Sequence, residues 1–210
     1  MDRVEELKRE AGITACSFVR DGMRIGLGTG STVKYTVIEI SRMISEEGID
    51  VIGVPTSEAT RELAESLGIP LSTLEEAAPL DITIDGADEF DPNFQLIKGG
   101  GGALTREKRV AEKSAAMVVV ADDRKQVNTL GEFHLPLEVR KDDWYTVAAK
   151  LREICPGQVS IRGGESPYVT DNEGYILDCD FGPTISDPSS LERHIKSIDG
   201  VVEVGLFVGM

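Results

Sequence analysis

The stretch DGADEFDPNFQLIKGGGGALTREK, from Asp85 to Lys108, combines the side chains that proton-transfer chemistry requires. It holds three carboxylates within five residues, a lysine, four adjacent glycines and a later glutamate: Asp85, Asp88, Glu89, Lys98, Gly99 to Gly102 and Glu107. Adjacent glycines cost backbone entropy, so such a run is expected where a backbone turns sharply or lies against a ligand. Carboxylates, an ammonium group and exposed N–H groups together suggest proton transfer beside an oxyanion. Each residue alone fits a solvated loop, but the whole set favours a site.

A second candidate site is the turn Gly28 to Thr32, with the sequence GTGST. A short buried strand is predicted before it, over 23–27, and a helix after it, to about Ile44. The free N–H groups and the dipole of a helix N-terminus hold phosphate in this geometry, and Ser31 and Thr32 add hydroxyl groups. Dinucleotide binding is disfavoured because the third glycine of G-x-G-x-x-G is missing. The alternative is a capped helix after a tight turn.

Strands that alternate with helices position these residues. The predicted strands are 23–27, 50–54, 69–71, 81–84 and 116–121, the last being the clearest buried strand; the predicted helices are 2–20, a helix that follows Thr32 and runs to about Ile44, 58–67 capped by Ser57, and 105–114 with Thr105 as a possible cap. This alternation predicts a parallel sheet, and ligands bind beyond the carboxyl ends of such strands. Four segments fall at these ends, which predicts a single site: Thr29 to Thr32, Thr56-Ser57, Asp85 to Asp88, and Lys125.

The pattern changes after about Leu130. Predicted strands and helices follow at 135–139 (strand), 144–154 (helix), 158–162, 168–170 and 175–179 (strands), 188–197 (helix) and 201–208 (strand). This order predicts a small α+β unit attached to the larger α/β domain.

Composition narrows the function further. The chain has 210 residues and a net charge of −15, which disfavours non-specific binding to nucleic acid or to an anionic membrane. Cys16, Cys155 and Cys179 are widely spaced, so we expect reduced thiols in a cytoplasm. The N-terminus is too charged for a signal peptide, and no apolar run is long enough to span a membrane. His134 and His194 form no metal-ligand pattern, so no metal is expected.

These motifs resemble the type A family of ribose-5-phosphate isomerases. The resemblance covers nearly the whole chain and rests on the following segments: Glu6-Leu7-Lys8, Gly28 to Thr32, Asp85 to Glu89, Lys98 to Gly101, Leu104 to Lys108, Lys125 to Val127 and Gly205 to Phe207. It implies a Rossmann-like parallel-sheet domain with a ferredoxin-like second domain. The predicted bounds are 1–130 plus 203–210 for the first and 131–202 for the second.

The resemblance also implies an activity. The family interconverts ribose 5-phosphate and ribulose 5-phosphate, in the non-oxidative pentose phosphate pathway, without metal or other cofactor. Glu107 would be the catalytic base, assisted by Lys98, Asp85 and Asp88. The implied substrate-binding residues are Lys8, Thr29, Gly30, Ser31, Thr32, Asp85, Gly86, Ala87, Asp88, Lys98, Gly99, Gly100, Gly101 and Lys125. Arg124 departs from the family, which usually has a small residue before this lysine. A homodimer or homotetramer is implied.

The physical mechanism fits the same residues. One carboxylate can move a proton between C1 and C2 through an enediolate, while an ammonium group and glycine N–H groups hold the oxyanion. Two other classes stay open at this point. A non-catalytic sugar-phosphate sensor would not need Glu107 and Lys98 together, and in a CoA-transferase-like enzyme the glutamate would be a nucleophile. Turnover of ribose 5-phosphate without CoA separates the three.

Overall fold

The structure, a computed structural model, describes residues 3–210, so Asp2 of the predicted first helix lies outside the described residues. The α-helices are α1 (Arg3–Ala15), α2 (Val33–Arg42), α3 (Glu58–Ser66), α4 (Leu74–Ala77), α5 (Leu104–Glu112), α6 (Trp144–Ile154) and α7 (Pro188–Lys196). The strands are β1 (Arg24–Leu27), β2 (Ile52–Pro55), β3 (Ile82–Gly86), β4 (Glu89–Phe90), β5 (Leu96–Ile97), β6 (Met117–Val120), β7 (Leu135–Val139), β8 (Val159–Ile161), β9 (Tyr175–Cys179), β10 (Val201–Val204) and β11 (Leu206–Phe207). Over residues 3–210, no helix has the length and apolar character of a membrane span.

The chain divides into two units. The first contains the chain up to Gly86, Arg106–Asp123 and Met210, and the second contains Ala87–Thr105 and Arg124–Gly209. The predicted domain bounds assign three segments differently: 87–105, 124–130 and 203–209. Those bounds stay a prediction.

A parallel sheet with strand order β2-β1-β3-β6 forms the centre of the first unit. β1 pairs with β2 and β3, and β3 pairs with β6, all in parallel. Ile25, Leu27 and Ile84 are almost completely buried, as expected for a sheet whose faces are covered by helices. The predicted α/β class is confirmed, and so is the central position of the strand that reaches Asp85.

The strand predicted over 116–121 is not the most buried one. β6 is last in the strand order, and Met117, Val118 and Val119 are only partly buried. The apolar run in the sequence indicates a strand, but its place at the edge of the sheet depends on the pairing of distant segments. That part of the prediction is wrong.

The second unit contains an antiparallel sheet with strand order β10-β7-β9-β8. Its chain order is β7, α6, β8, β9, α7, β10, and a β-α-β-β-α-β order with this arrangement is ferredoxin-like. Leu135, Leu137 and Val139 of β7 are fully buried with Val147 and Leu151 of α6. The predicted strand 135–139 and helix 144–154 are both confirmed.

A small antiparallel sheet of β11, β5 and β4 was not predicted. The strand predicted over 201–208 divides at Gly205, because β10 pairs with β7 while β11 pairs with β5. A Cβ on Gly205 would lie 2.3 Å from the carbonyl oxygen of Lys98 and 2.8 Å from that of Pro136. The chain can pass between these two backbones only without a side chain.

Other local predictions need correction. The segments predicted as strands at 69–71 and 168–170 each form only an isolated bridge, Gly53 with Leu71 and Val169 with Tyr175. The first helix ends at Ala15 and continues as a 3₁₀ turn. Thr105 does not cap α5, which begins at Leu104; instead, its hydroxyl group donates to Glu138.

The three cysteines are buried and form no disulfide. Burial raises the pKa of the Cys16 thiol to about 12, and burial also raises the pKa of the Cys155 and Cys179 thiols. Because the thiolate is the reactive form, all three should be inert in the folded chain.

We therefore expect an aromatic disulfide reagent at neutral pH to react very slowly with the native chain. In denaturing guanidinium, the same reagent should react rapidly with three thiols per chain. Colorimetric titration measures both rates. A thiol that reacts rapidly in the folded chain would contradict the burial.

Candidate functional site

Asp85 ends the central strand β3 and fixes the turn that follows β1. Its Oδ1 accepts hydrogen bonds from the backbone N–H groups of Thr29 at 3.0 Å and Gly86 at 2.7 Å. Gly28 lies against this carboxylate, since a Cβ there would be 2.2 Å from Oδ1. Only glycine therefore permits the turn and the buried carboxylate to lie so close.

Hydroxyl groups join this turn to the one that follows β2. Thr29 Oγ1 lies 2.7 Å from Thr56 Oγ1 and 2.8 Å from Ser57 Oγ, and Thr60 Oγ1 donates to the Gly28 carbonyl at 2.9 Å. Ser57 Oγ also accepts from the N–H of Thr60, which confirms Ser57 as the cap of α3. These hydrogen bonds hold the candidate phosphate-binding turn in place at Gly28 and Thr29.

Gly30, Ser31 and Thr32 lie immediately before α2. The N–H of Lys34 donates to the Gly30 carbonyl at 3.1 Å, so the chain enters the helix here. The first N–H groups of a helix have no acceptor within the helix, and they carry the positive end of its dipole. Gly30 has a φ of 132°, a backbone conformation that would be strained in a residue with a side chain. This turn has the geometry that holds an anion.

Glu107 lies near the start of α5, and the direction of that helix determines where Glu107 lies relative to the parallel sheet. The far end of α5 meets the beginning of the central strand, because the Leu80 N–H donates to the Lys113 carbonyl at 2.8 Å. Val110 packs against Gly26 in the middle of β1. Glu107, one turn earlier than Val110 on the same face, therefore points toward the carboxyl end of the sheet, where Asp85 lies. Glu107 is 5% exposed.

The residue before Glu107 is anchored by charge. Arg106 Nη1 lies 2.8 Å from Glu58 Oε1, and Arg61 Nε lies 2.6 Å from Glu58 Oε2. Arg106, and then Arg61, hold the pKa of the Glu58 carboxyl below its usual value. The first turn of α5 is thus tied to the first turn of α3.

The residue two before Glu107 is anchored by a buried carboxylate in the second unit. Glu138 on β7 is 1% exposed and accepts hydrogen bonds from the hydroxyl groups of Thr105 and Thr170, the latter at 2.5 Å, and from Asn172 Nδ2 at 3.2 Å. The sequence analysis missed Glu138. The available signal was a single charge within the otherwise apolar strand LPLEV.

Lys98 follows β5 in the second unit and is 2% exposed. Its N–H donates to the Gly205 carbonyl at 2.9 Å, and its Nζ lies 5.5 Å from the centre of the Phe207 ring. A buried ammonium group is costly unless polar or aromatic groups compensate it. Its burial is typical of a lysine with a specific role, unlike that of a surface lysine.

Asp88 contacts the glycine run directly. Its Oδ2 accepts from the N–H of Gly100 at 2.7 Å, and a Cβ on Gly100 would lie 2.5 Å from Oδ1. Gly99 and Gly102 have φ of 109° and 82°. The run therefore needs glycine for both its conformation and its contact with a carboxylate.

Lys125 lines a groove of about 330 Å³ in the second unit. Asp88, Arg124 and Phe133 line the same groove, and Lys125 Nζ lies 5.8 Å from the centre of the Phe133 ring. Glu89 also reaches it, but its carboxylate accepts from the N–H groups of Gly131 and Phe133. Glu89, one of the three carboxylates that the sequence groups in this segment, therefore has a structural role.

Lys8 lies on α1, and its Nζ is 3.7 Å from Glu5 Oε2. This pair is partly exposed, so it contributes little. The structure leaves its predicted role in phosphate binding as a prediction.

The first unit thus contains Asp85 in contact with the turn 29–32, and Glu107 on α5; the second contains Asp88, Lys98, the glycines 99–101 and Lys125, and Gly86 and Ala87 join Asp85 to Asp88. Among residues 3–210, no three metal-ligating side chains are grouped so as to hold a metal. One unit presents a carboxylate beside an anion-binding turn, and the other presents cations and a glycine run.

Comparison with known proteins gives a consistent result. A model of the family described as ribose 5-phosphate isomerase A (phosphoriboisomerase A) matches residues 52–210. The ribose-5-phosphate isomerase A of Parvibaculum lavamentivorans is 47% identical over 213 residues, covering 98% of this chain and 91% of that protein. That of a Synechococcus strain is 47% identical, covering 100% and 92%.

Solved structures agree with the sequence relatives. Ribose 5-phosphate isomerase A from Methanocaldococcus jannaschii superposes with a TM-score of 0.91 at 42% identity, over 97% of this chain and 91% of that one. A D-ribose-5-phosphate isomerase in complex with phospho-erythronic acid gives a TM-score of 0.93 at 38% identity, over 98% and 91%.

The contact of Gly28 with Asp85 can be tested by substitution. Gly28→Ala should destabilise the fold by about 1–3 kcal/mol, because the new methyl group displaces a buried carboxylate. Gly86→Ala is the matched control, since its Cβ would meet nothing closer than 3.7 Å. Urea unfolding measures both. Equal stabilities of the two variants would contradict the close packing.

Proposed function

The chain belongs to the ribose 5-phosphate isomerase A family, and from this premise we propose that it interconverts D-ribose 5-phosphate and D-ribulose 5-phosphate through an enediolate. The observation that supports the mechanism is that Glu107 is a buried carboxylate one turn before Val110, on a helix that packs against β1. A carboxylate that removes a proton from one carbon can return it to the next on the same face. Glu107 is the proposed base.

Stabilisation of the enediolate is assigned to the second unit. Its oxygens carry the developing charge, and prearranged donors stabilise such charge most effectively where water is excluded. Lys98 supplies a buried ammonium group, and Gly99 and Gly101 supply backbone N–H groups, while the N–H of Gly100 donates to Asp88. Asp85 and Asp88 are proposed to assist ring opening and to move protons between the oxygens.

The phosphate is proposed to bind Ser31 and Thr32 at the N-terminus of α2, with Lys125 and Lys8 as further cations. The relative that was solved with phospho-erythronic acid supports this substrate class, since that ligand has a phosphate at one end and a carboxylate at the other. Its carboxylate is planar and negatively charged, two features that it shares with an enediolate.

We further propose that the reaction needs no metal and that the chain acts without a nucleic acid or membrane partner. The enzyme would act in the non-oxidative pentose phosphate pathway, as a homodimer or homotetramer in the cytoplasm. The sensor alternative is set aside because the family is one of enzymes. Turnover of ribose 5-phosphate in the absence of CoA and in the presence of a chelator tests the remaining alternative.

Glu107→Gln tests the base. It keeps the size of the side chain but cannot accept the proton. General-base catalysis is typically worth about 10²- to 10⁴-fold in rate, and we expect kcat to fall by the upper end of this range or more. Exchange of the substrate C2 proton with solvent deuterium, followed by NMR, should stop as well, while the chain stays folded and binds ligand. Glu112→Gln, on an exposed position of the same helix, should leave both rates unchanged. Exchange at the wild-type rate in Glu107→Gln would assign the base elsewhere, with Asp85 as the next candidate.

Lys125→Ala tests the phosphate contact. A hydrogen bond to a charged group is worth about 1.5–3 kcal/mol, so KM should rise roughly 10- to 100-fold while kcat changes less. Ribose without the phosphate should be converted very poorly, because the remote binding energy is missing. Lys150→Ala, at an exposed position of α6, is the control. An unchanged KM in Lys125→Ala would remove Lys125 from the site.

A further inference from the structure

Arg162 contacts the glycine run from the ferredoxin-like sheet. It follows β8, and its Nη1 lies 3.0 Å from the Gly99 carbonyl oxygen and 3.1 Å from that of Gly100. Both contacts lie within the second unit. One cationic group therefore holds two successive peptide carbonyls of the segment.

Asp178 on β9 fixes the direction of this guanidinium group. Arg162 Nε donates to Asp178 Oδ2 at 2.9 Å, and Nη2 donates to Oδ1 at 2.5 Å. The two side chains are 19% and 21% exposed. A two-bond arrangement of this kind is geometrically specific, because the planar fork of arginine matches the two carboxylate oxygens. Asp178 thus leaves Nη1 directed at the glycine carbonyls.

The direction of the carbonyls determines the direction of the N–H groups. In a trans peptide the C=O and N–H bonds point in opposite directions. Because Arg162 holds the carbonyls of Gly99 and Gly100, the N–H groups of Gly100 and Gly101 point away from it. The Gly100 N–H indeed meets Asp88 Oδ2 at 2.7 Å. The peptide between Gly99 and Gly100 is held at both ends by charged side chains.

The glycine run needs such an anchor because it has no side chains of its own. Glycine loses more conformational freedom on ordering than any other residue. A donor that stabilises an oxyanion acts best when it is already oriented, so that nothing reorganises during the reaction. A positive charge on the carbonyls also polarises the peptides and strengthens the N–H groups as donors.

We propose that Arg162, held by Asp178, is a positioning residue that orients the N–H group of Gly101 toward the reacting oxygens of the substrate, while the peptide before it is fixed between Arg162 and Asp88. This inference rests on the proposed function. Arg162 acts through the backbone of the glycine run, while the phosphate is held by other loops. Its loss should therefore affect the chemical step more than substrate binding.

Arg162→Met is the principal test. It keeps much of the apolar stem but cannot hold the carbonyls, and a small misplacement of catalytic groups costs up to about 10²-fold in rate. We expect kcat to fall roughly 10- to 100-fold, with little change in KM. Amide hydrogen exchange at Gly100 and Gly101 should accelerate. An unchanged kcat overturns the inference, and so does a rise in KM alone.

Arg140→Met is the matched control within the same unit. Arg140 also bonds to carboxylates, those of Asp143 and Asp199, but it is 54% exposed. Its loss removes an arginine and its ion pairs without touching the glycine run, so kcat should stay at the wild-type value. An equal fall in kcat for both variants would mean that the effect of Arg162 is general destabilisation, which overturns the inference.

Asp178→Asn tests the route of action. It should lower kcat in the wild-type background, but it should add nothing in the Arg162→Met background, because Asp178 acts only through Arg162. Equal effects in both backgrounds contradict this. If Arg162→Met does not fold, Arg162→Lys replaces it, since lysine keeps the charge but lacks the fork; a smaller fall in kcat at constant KM is expected, and no fall overturns the inference.

Failure of the role of Arg162 can be distinguished from failure of the proposed function. A wild-type chain that does not convert ribose 5-phosphate would refute the proposed function itself. Hydrogen exchange at the glycine amides needs no substrate, so it still tests whether Arg162 orders the segment. Turnover by the wild-type chain with an unaffected Arg162→Met variant refutes only the role of Arg162.

Discussion

The buried carboxylate of Asp85 at the end of the central strand is the constraint on which the first unit depends. It accepts the N–H of Thr29, and it lies so close to Gly28 that no side chain fits there. The turn after β1 is consequently fixed to β3, and the hydroxyl groups of Thr56 and Thr60 fix it to the next turn. Everything proposed for the phosphate turn follows from this attachment, since an anion site needs N–H groups that are already in place.

The helix that carries Glu107 shows how a buried acid is held by its neighbours. Thr105 contacts Glu138, and Arg106 contacts Glu58, so the two preceding residues each have a polar anchor. Thr105 belongs to the second unit and Arg106 to the first, with one peptide bond between them. Each of these two residues is therefore held by a contact within its own unit.

The sequence predicts several of the longer elements well and reveals the glycine run, for identifiable reasons. The strand 135–139 and the helix 144–154 have clear periodicity, and the glycine run is evident from composition alone. β4, β5 and β11 were missed because a strand of two residues has no periodicity to detect. The contacts of Glu138 and Arg162 were missed because their partners lie 33 and 63 residues away along the chain. Thr105 belongs to a residue type that often caps helices, but its hydroxyl group donates to the distant Glu138.

The partly exposed strand β6 has a consequence for the behaviour of the chain at high concentration. Among the described residues, β6 pairs with β3 on one side only, so the other side presents backbone groups that could pair with another molecule. Asp122 and Asp123 follow this strand after Ala121, and the chain as a whole carries a net charge of −15. Mutual repulsion between negatively charged molecules therefore opposes pairing at this edge, and acidification, which neutralises the carboxylates, weakens that repulsion. Colloidal stability in this chain is a property of its charge, whereas the integrity of each unit is a property of its buried contacts.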